Sequence, residues 1–288
     1  MSLKKLIAEY MRLSKKALPE YSSKFSRKDF TQHQLLVLVL LREKLKKTYR
    51  GFRELLEVIK HEELLGLKKV PNFTTIDKFF LRKTSCVFSL LLKLSTKTAG
   101  KVYAMDATGF DRRHSSRHYT KRCRMRIKSM KTTVIVDADT FNAVAVHATA
   151  SRKHDTRIAK EMLKRLEDPP DFMAMDKGYD DSALREMLEG MGIVPVIKFR
   201  GFTEEKRRMN EELDGYVYGK RNMSESMNSA VKRKFKPYLS SKGFWRQVKE
   251  ILIMFTLHNI ERNLYVLIGF LQSQTVQKRR LYTMRIYL

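Results

Sequence analysis

Three carboxylates occupy positions where a folded chain gains nothing by keeping an unpaired acid. Asp106 follows the run Val102, Tyr103, Ala104, Met105, and Asp176 follows Phe172, Met173, Ala174, Met175. Each run reads as a buried strand, where a carboxylate is costly unless a cation pairs with it. Glu225 lies in YGKRNMSESMNSAVKRKFKPY, a segment patterned as helix. Hard oxygen ligands from separate elements suit divalent ions. Two such ions about 4 Å apart can activate an attacking oxygen and stabilise a leaving one at a phosphodiester. Without metal, such acids repel by about 4 kcal/mol per close pair at an effective dielectric near 20. Each acid alone also reads as an ordinary cap or salt-bridge partner. Two acids ending two apolar strands in a strongly basic chain favour the metal reading.

The helical segment adds cations. At about 100° per residue, Tyr218, Arg221, Glu225 and Lys232 fall within about 60° of one another. Met223, Met227, Ala230 and Val231 lie on the opposite side. One face therefore packs, and the other carries an acid flanked by groups that can grip phosphates. Lys232, Arg233, Lys234 and Lys236 extend that gripping surface or are simply exposed. Asp137 and Asp139 compete for the metal role, but seven residues carry them roughly 23 Å from the start of their strand. Turn chemistry accounts for them better. Asp180 and Asp181 read as N-caps of the helix that follows.

The supporting elements follow from pattern. Residues 1–95 are expected to form an all-helical, DNA-binding N-terminal domain. One helix follows Thr31, a second spans Tyr49 to Ile59, and a third starts near Thr74 or Thr75. Such helices form a helix-turn-helix reader or an ordinary bundle. Residues 96–270 read as a mixed α/β sheet flanked by helices. KVYAMDATGF is a strand, and KTTVIVDADTFNAVAVHATA is a hairpin turning at Asp137. A helix over 158–166, the strand FMAMD, a helix over 182–191 and the strand IVPVIKF come next. Residues 198–216 read as a loop or small hairpin. Helices fill 221–235 and 243 onward, and 271–288 is a poorly patterned tail.

Lys and Arg number 59 against 31 Asp and Glu, a net charge of +28 spread along the whole chain. Such a body repels itself unless a polyanion neutralises it, and nucleic acid is the commonest such partner. The loop from Arg112 to Arg126 is dense in cations. There Arg117, Tyr119 and Arg122 are placed to hold a DNA strand by charge and stacking. His114, His118 and Cys123 fit no standard zinc spacing. Two cysteines without CxxC spacing give no disulfide framework. The apolar runs are too short for a membrane span, and the start lacks a signal-peptide core. A cytoplasmic, nucleoid-associated protein without a membrane partner is expected.

Tyr218, Arg221, Glu225 and Lys232 match, without a gap, the Y-R-E-K signature of one group of prokaryotic insertion-sequence transposases of the DDE type. YAMDATGF is similar to the family's first-acid strand, AMDKGYDD to its second-acid motif with the customary GY, and HNIERNL to its C-terminal helix. The resemblance runs from about Tyr21 to Asn263 and implies a ribonuclease H-like core. It implies that Asp106, Asp176 and Glu225 are catalytic and bind two Mg²⁺ ions, with Mn²⁺ able to substitute. Tyr218, Arg221 and Lys232 would contact DNA phosphates at the element end. The implied reaction is hydrolysis at the transposon end, then attack of the freed 3′-hydroxyl on target DNA. Many members pass through a hairpin intermediate, and they act as homodimers on paired terminal inverted repeats. About 48 residues separate Asp176 from Glu225, room for only a short insertion where some members carry a long β-rich one. Two rivals are a catalytically silent, transposase-derived DNA-binding protein and a structure-selective nuclease without strand transfer.

Overall fold

The computed structural model describes residues 2–59, 61–112, 129–201 and 203–286, with side chains as far as residue 268. Its centre is a five-stranded sheet of β1 (Val102–Asp111), β2 (Ser129–Asp137), β3 (Asn142–Thr149), β4 (Phe172–Met175) and β5 (Val194–Ile197). The strand order is β3-β2-β1-β4-β5. β1, β2 and β3 pair antiparallel, whereas β4 and β5 run parallel to β1. Parallel neighbours need a crossover. The helices Asp155–Leu163 and Ser182–Gly190 supply the two crossovers, from β3 to β4 and from β4 to β5.

Alternation along the strands sorts side chains to the two faces. Tyr103, Met105, Ile135, Met173, Met175 and Ile197 pack with Ile158, Leu163, Leu184 and Leu188 of the crossover helices. Val102, Ala174 and Val196 point the other way, onto Val217. The hairpin between β2 and β3 turns at Asp137. Its Oδ1 accepts from the amides of Asp139 and Thr140, both at 2.9 Å, as an Asx turn requires. Phe141 completes the turn at φ 58°.

The N-terminal part holds α1 (Leu3–Ala17), α2 (Gln32–Lys44), α3 (Tyr49–Val58), α4 (His61–Leu65), α5 (Phe73–Arg82) and α6 (Ser85–Ser95). Thr31 and Gln34 form a capping box: the Thr31 hydroxyl accepts from the Gln34 amide at 3.1 Å, and the Gln34 side chain accepts in return at 2.9 Å. The third anticipated helix starts one or two residues early. Asn72 caps it, accepting from the Thr74 amide at 3.0 Å, and asparagine is at least as good a cap as threonine. α2 is buried all round, with Leu35 to Leu41 at 7% exposure or less. One continuous cluster joins Leu36, Leu40, Phe52 and Phe80 of these helices to Phe110, Met130 and Val134 of the sheet.

Residues 198–216, expected as loop or hairpin, contain helix instead. With the crossover helices as α7 (Asp155–Leu163) and α8 (Ser182–Gly190), α9 spans Glu204–Glu211 and α10 spans Gly215–Gly219. α9 buries no residue, so no apolar stripe marked it; its cap Thr203 and the first-turn acids Glu204 and Glu205 were local signals. α11 (Asn222–Lys234) and α12 (Phe244–Ile286) follow. α12 carries a 25-residue stretch, Phe244–Ile268, long and apolar enough by composition to cross a membrane, but 61% of its apolar window is buried in the protein. Ile251, Met254, Phe255 and Leu257 there belong to the central cluster. The backbone of 271–286, anticipated as a poorly patterned tail, continues this helix.

Two lysines read as extending a phosphate-gripping surface turn inward. Lys236 pairs with Glu43 at 3.0 Å and Glu250 at 2.7 Å, both nearly inaccessible. Lys234 pairs with buried Glu261 at 2.6 Å, a carboxylate that Lys44 also reaches at 2.6 Å. The sequence shows a basic run; only packing shows that three buried carboxylates need part of it.

Candidate active site

Parallel pairing of β1 with β4 sets Met105 opposite Met175. The next residue on each chain, Asp106 and Asp176, therefore lies side by side with the other at roughly the 4.8 Å spacing of neighbouring strands. Both share the parity of Val102 and Ala174, so both leave the sheet on the face that packs against Val217 and Tyr218 of α10 and Met223 of α11.

α11 is seated on that face by Met227 and Val231, both fully buried. The residues next to these anchors, Asn228 and Lys232, then meet β1, while Glu225 stays half-exposed. Asn228, 4% exposed, donates from Nδ2 to Asp106 Oδ2 at 3.3 Å. Lys232 donates from Nζ to the Thr108 hydroxyl at 2.6 Å and sits over the Phe110 ring at 5.4 Å. Arg221 Nη1 donates to Glu225 Oε1 at 2.5 Å. Tyr218 belongs to α10 rather than to the helix of Glu225. The intervening Lys220 and Arg221 keep right-handed helical backbone, so the stripe continues across the junction. Lys198 and Arg221 lie over the Tyr218 ring at 4.7 Å and 5.5 Å.

The electrostatics tie the three acids together. Burial raises the Asp106 pKa first. The Ala107 amide and Asn228 oppose that, while the charges of Glu225 and Asp176 push it higher. Burial works against the Arg221 guanidinium, but its bond to Glu225 and the nearby Tyr218, Glu225 and Asp176 outweigh this and raise its pKa. Lys232 is lowered by burial, against the pull of Asp111 and Asp106. Behind the acids, the buried Tyr179 phenol is held neutral far above its ordinary range by burial, then by Asp155, Asp106 and Asp176. A half-buried carboxylate with two acids in its field and an amide side chain as its hydrogen-bond partner is a site that a cation would stabilise.

Among the described residues, no group of three or more His, Cys, Asp or Glu side chains is already gathered tightly enough to cage an ion. The reason is visible at Glu225, whose half-exposed side chain is engaged by Arg221. An exposed (i, i+4) pair of this kind contributes only about 0.3–0.5 kcal/mol. That is a small barrier against turning Glu225 toward the two aspartates. The donor set, three carboxylate groups and one carboxamide, fits a hard divalent cation.

The other acids behave as turn and packing groups. Asp137 lies opposite Tyr103, three residues and roughly 10 Å along β1 from Asp106. Its Oδ2 is taken up by the Ala99 amide at 2.6 Å, and Asp139 pairs with Lys220 at 3.1 Å. Asp181 caps α8 at the Leu184 amide, 2.8 Å away. Asp180 does not cap; it pairs with Arg185 at 2.8 Å. Arg233 is exposed, away from the stripe. Arg117, Tyr119 and Arg122, with His114, His118 and Cys123, lie outside the described residues. Asn228, Thr108 and Tyr179 are the site residues that sequence reasoning missed. Asn228 could have been found, since it stands three residues beyond Glu225 on the same side of the helix.

The sheet order, with acids on adjacent parallel strands and a helix laid across them, is that of a ribonuclease H-like fold. Residues 97–260 match the transposase DDE domain family, and the chain belongs to it. Two solved structures are similar. One is a chain of the simian T-cell lymphotropic virus intasome in complex with PP2A regulatory subunit B56 gamma, at 10% identity and a TM-score of 0.30, covering 65% of this chain and 58% of that one. This protein thus spans less than two-thirds of that chain. The other is the piggyBac transposase synaptic complex with hairpin DNA, at 9% identity and a TM-score of 0.43, covering 90% of this chain and 73% of that one. No curated protein sequence matches.

Proposed function

We propose that this chain is a DNA transposase of the cut-and-paste kind, cleaving transposon ends and joining the freed 3′-hydroxyl to target DNA. Asp106, Asp176 and Glu225 would hold two Mg²⁺ ions, or Mn²⁺ in their place. Bound there, the ions would supply charge stabilisation for the attacking and leaving oxygens of the phosphodiester. Asn228 holds Asp106 in one rotamer by its hydrogen bond, and Lys232 braces the neighbouring Thr108. Arg221 keeps Glu225 in reserve; once Glu225 turns to the aspartates, its guanidinium is released toward a phosphate. Tyr218, Lys232 and Arg233 would add contacts to the DNA backbone at the element end, and a homodimer would hold paired ends.

The observation that carries this reading is the β1–β4 register, which sets Asp106 beside Asp176 under α11. The test uses end-labelled duplexes carrying the inverted repeats that flank the gene. Wild type should nick them with Mg²⁺ and join the cut end to a target plasmid. Glu225→Gln should abolish nicking while still retarding the duplex in a gel. Undiminished Mg²⁺-dependent nicking by that variant rejects the site assignment. DNA binding without nicking by wild type at any Mg²⁺ concentration favours a catalytically silent binder, and nicking without joining favours a plain nuclease.

A further inference from the structure

Asp176 heads a single 3₁₀ turn, Lys177–Tyr179, and does not use its carboxylate to cap it. The carboxylate is thereby left free, but so short a turn holds its shape poorly and leaves carbonyls in need of partners. Within the turn, the Lys177 carbonyl accepts only from the Asp180 amide, at 3.2 Å. Support comes from outside, from Arg200 beyond the end of β5. Its Nε donates to the Lys177 carbonyl at 2.6 Å, and its Nη2 donates to the Gly178 carbonyl. A planar guanidinium fork can span two successive carbonyls in this way, whereas a lysine ammonium is a point donor and cannot.

Arg200 is itself tied down from several sides. Its amide donates to Asp180 Oδ2 at 2.7 Å, and the other oxygen of Asp180 accepts from Arg185 of α8 at 2.8 Å. Arg185 also donates to the Ile197 carbonyl at the end of β5, at 3.0 Å, and lies over the Phe199 ring at 3.8 Å. Gly201 then turns the chain at φ 130°, which side-chain-bearing residues rarely adopt, and α9 returns beside Arg200. Lys206 donates to the Arg200 carbonyl at 3.1 Å. The Asn210 side chain clasps Phe199, accepting from its amide at 2.8 Å and donating to its carbonyl at 3.2 Å. A helix that buries no residue thus contributes by gripping the backbone of Phe199 and Arg200.

The guanidinium is also close to the acid. A methyl group built on Gly178 would lie 3.7 Å from Arg200 Nη2 and 3.8 Å from Asp176 Oδ2, so the two groups flank one small gap. Arg200 nevertheless spends its donors on the carbonyls of the turn. Charge and geometry then make opposite demands. As a cation near the acids, Arg200 repels an incoming metal ion. As a clamp, it fixes where Asp176 points. Removing it tightens metal binding if charge dominates and weakens metal binding if geometry dominates.

We propose that Arg200 is a positioning residue for Asp176, which it orients by clamping the two carbonyls of the turn that follows. The inference rests on the reading of Asp176 as a metal ligand and goes beyond it by giving β5, its exit loop and α9 a part in the site. The test is Mn²⁺ binding without DNA, followed by electron paramagnetic resonance of the free ion, in Arg200→Lys and Arg200→Ala. Arg200 is exposed, so both variants should fold. Both should bind Mn²⁺ roughly tenfold more weakly than wild type, the usual scale for losing a residue that orients a metal ligand. Arg200→Lys keeps the charge and should retard the end duplex in a metal-free gel as wild type does. Wild-type Mn²⁺ affinity in Arg200→Lys overturns the inference, whether or not the variant melts lower; if wild type still nicks DNA, the functional reading survives that result. Tighter Mn²⁺ binding by Arg200→Ala also overturns it, leaving Arg200 as a repelling charge. A salt slope of duplex binding lowered by about one in Arg200→Ala, with Mn²⁺ affinity unchanged, overturns it by assigning Arg200 to a DNA phosphate. If wild type binds no Mn²⁺, the functional reading fails, and the inference falls with it.

Discussion

Neutralising Asp106 should make the metal-free protein more stable. Asp106 and Asp176 project from the same face of adjacent strands. Two unit charges about 5.5 Å apart repel by about 3 kcal/mol at an effective dielectric of 20. Both aspartates are half-buried, so solvent screening reduces this to about 1.5 kcal/mol. In a chain of this size, each kcal/mol moves the melting temperature by about 2–4 °C. Asp106→Asn should therefore melt about 3–6 °C above wild type in EDTA at pH 7. The pH dependence has a fixed sign. The folded pKa of Asp106 is raised, so between its unfolded and folded pKa the unfolded state binds fewer protons. Stability then falls as pH rises through that window, and the variant should lose this slope. Mg²⁺ should raise the melting temperature of wild type and do little for the variant. The assay is thermal melting by circular dichroism from pH 4 to 7, with EDTA or Mg²⁺. A variant that melts at or below wild type in EDTA, together with equal Mg²⁺ shifts in both, would refute the reasoning.

Three other outcomes follow from particular side chains. Asn228→Ala removes the side-chain bond to Asp106 and should weaken the Mg²⁺-induced melting shift, with Asn228→Asp recovering part of it; equal Mg²⁺ titration curves for all three proteins would count against a positioning role. Lys236→Ala leaves buried Glu43 and Glu250 without their shared cation and should cost about 3–5 kcal/mol in urea unfolding, whereas exposed Arg233→Ala should stay within about 0.5 kcal/mol. His258, buried against Phe141, has its pKa lowered to about 4, first by burial and then by Lys234. The unfolded state then takes up the proton first, so the stability His258 contributes above pH 6.5 is lost as pH falls toward 4; an NMR titration of the His258 ring with a midpoint near 6.5 would contradict this.

Much was legible in the order of residues. Strict alternation around Asp106 and the apolar run into Asp176 marked two buried strands, because a period of two is visible without any partner. The spacing of Arg221, Glu225 and Lys232 marked one helix face, because 3.6 residues per turn is a local property. The turn at Asp137 and the cap at Asp181 were legible for the same reason. What failed was whatever depended on a distant surface. α9 has no apolar stripe, so only its cap and first-turn acids distinguished it from loop. Lys234 and Lys236 read as solvent-facing until Glu261, Glu43 and Glu250 arrived from α2 and α12.

The sequence by itself determined which side chains could do the chemistry and which local elements would carry them, since both follow from residue type and short-range periodicity. Only the tertiary structure decided that Asp106 and Asp176 lie side by side. That depends on β4 inserting parallel to β1 after a 60-residue excursion between Asp111 and Phe172, and on α11 closing over both. The physical reason is that strand partnership is set by which apolar faces are covered, a global property that no window of sequence contains.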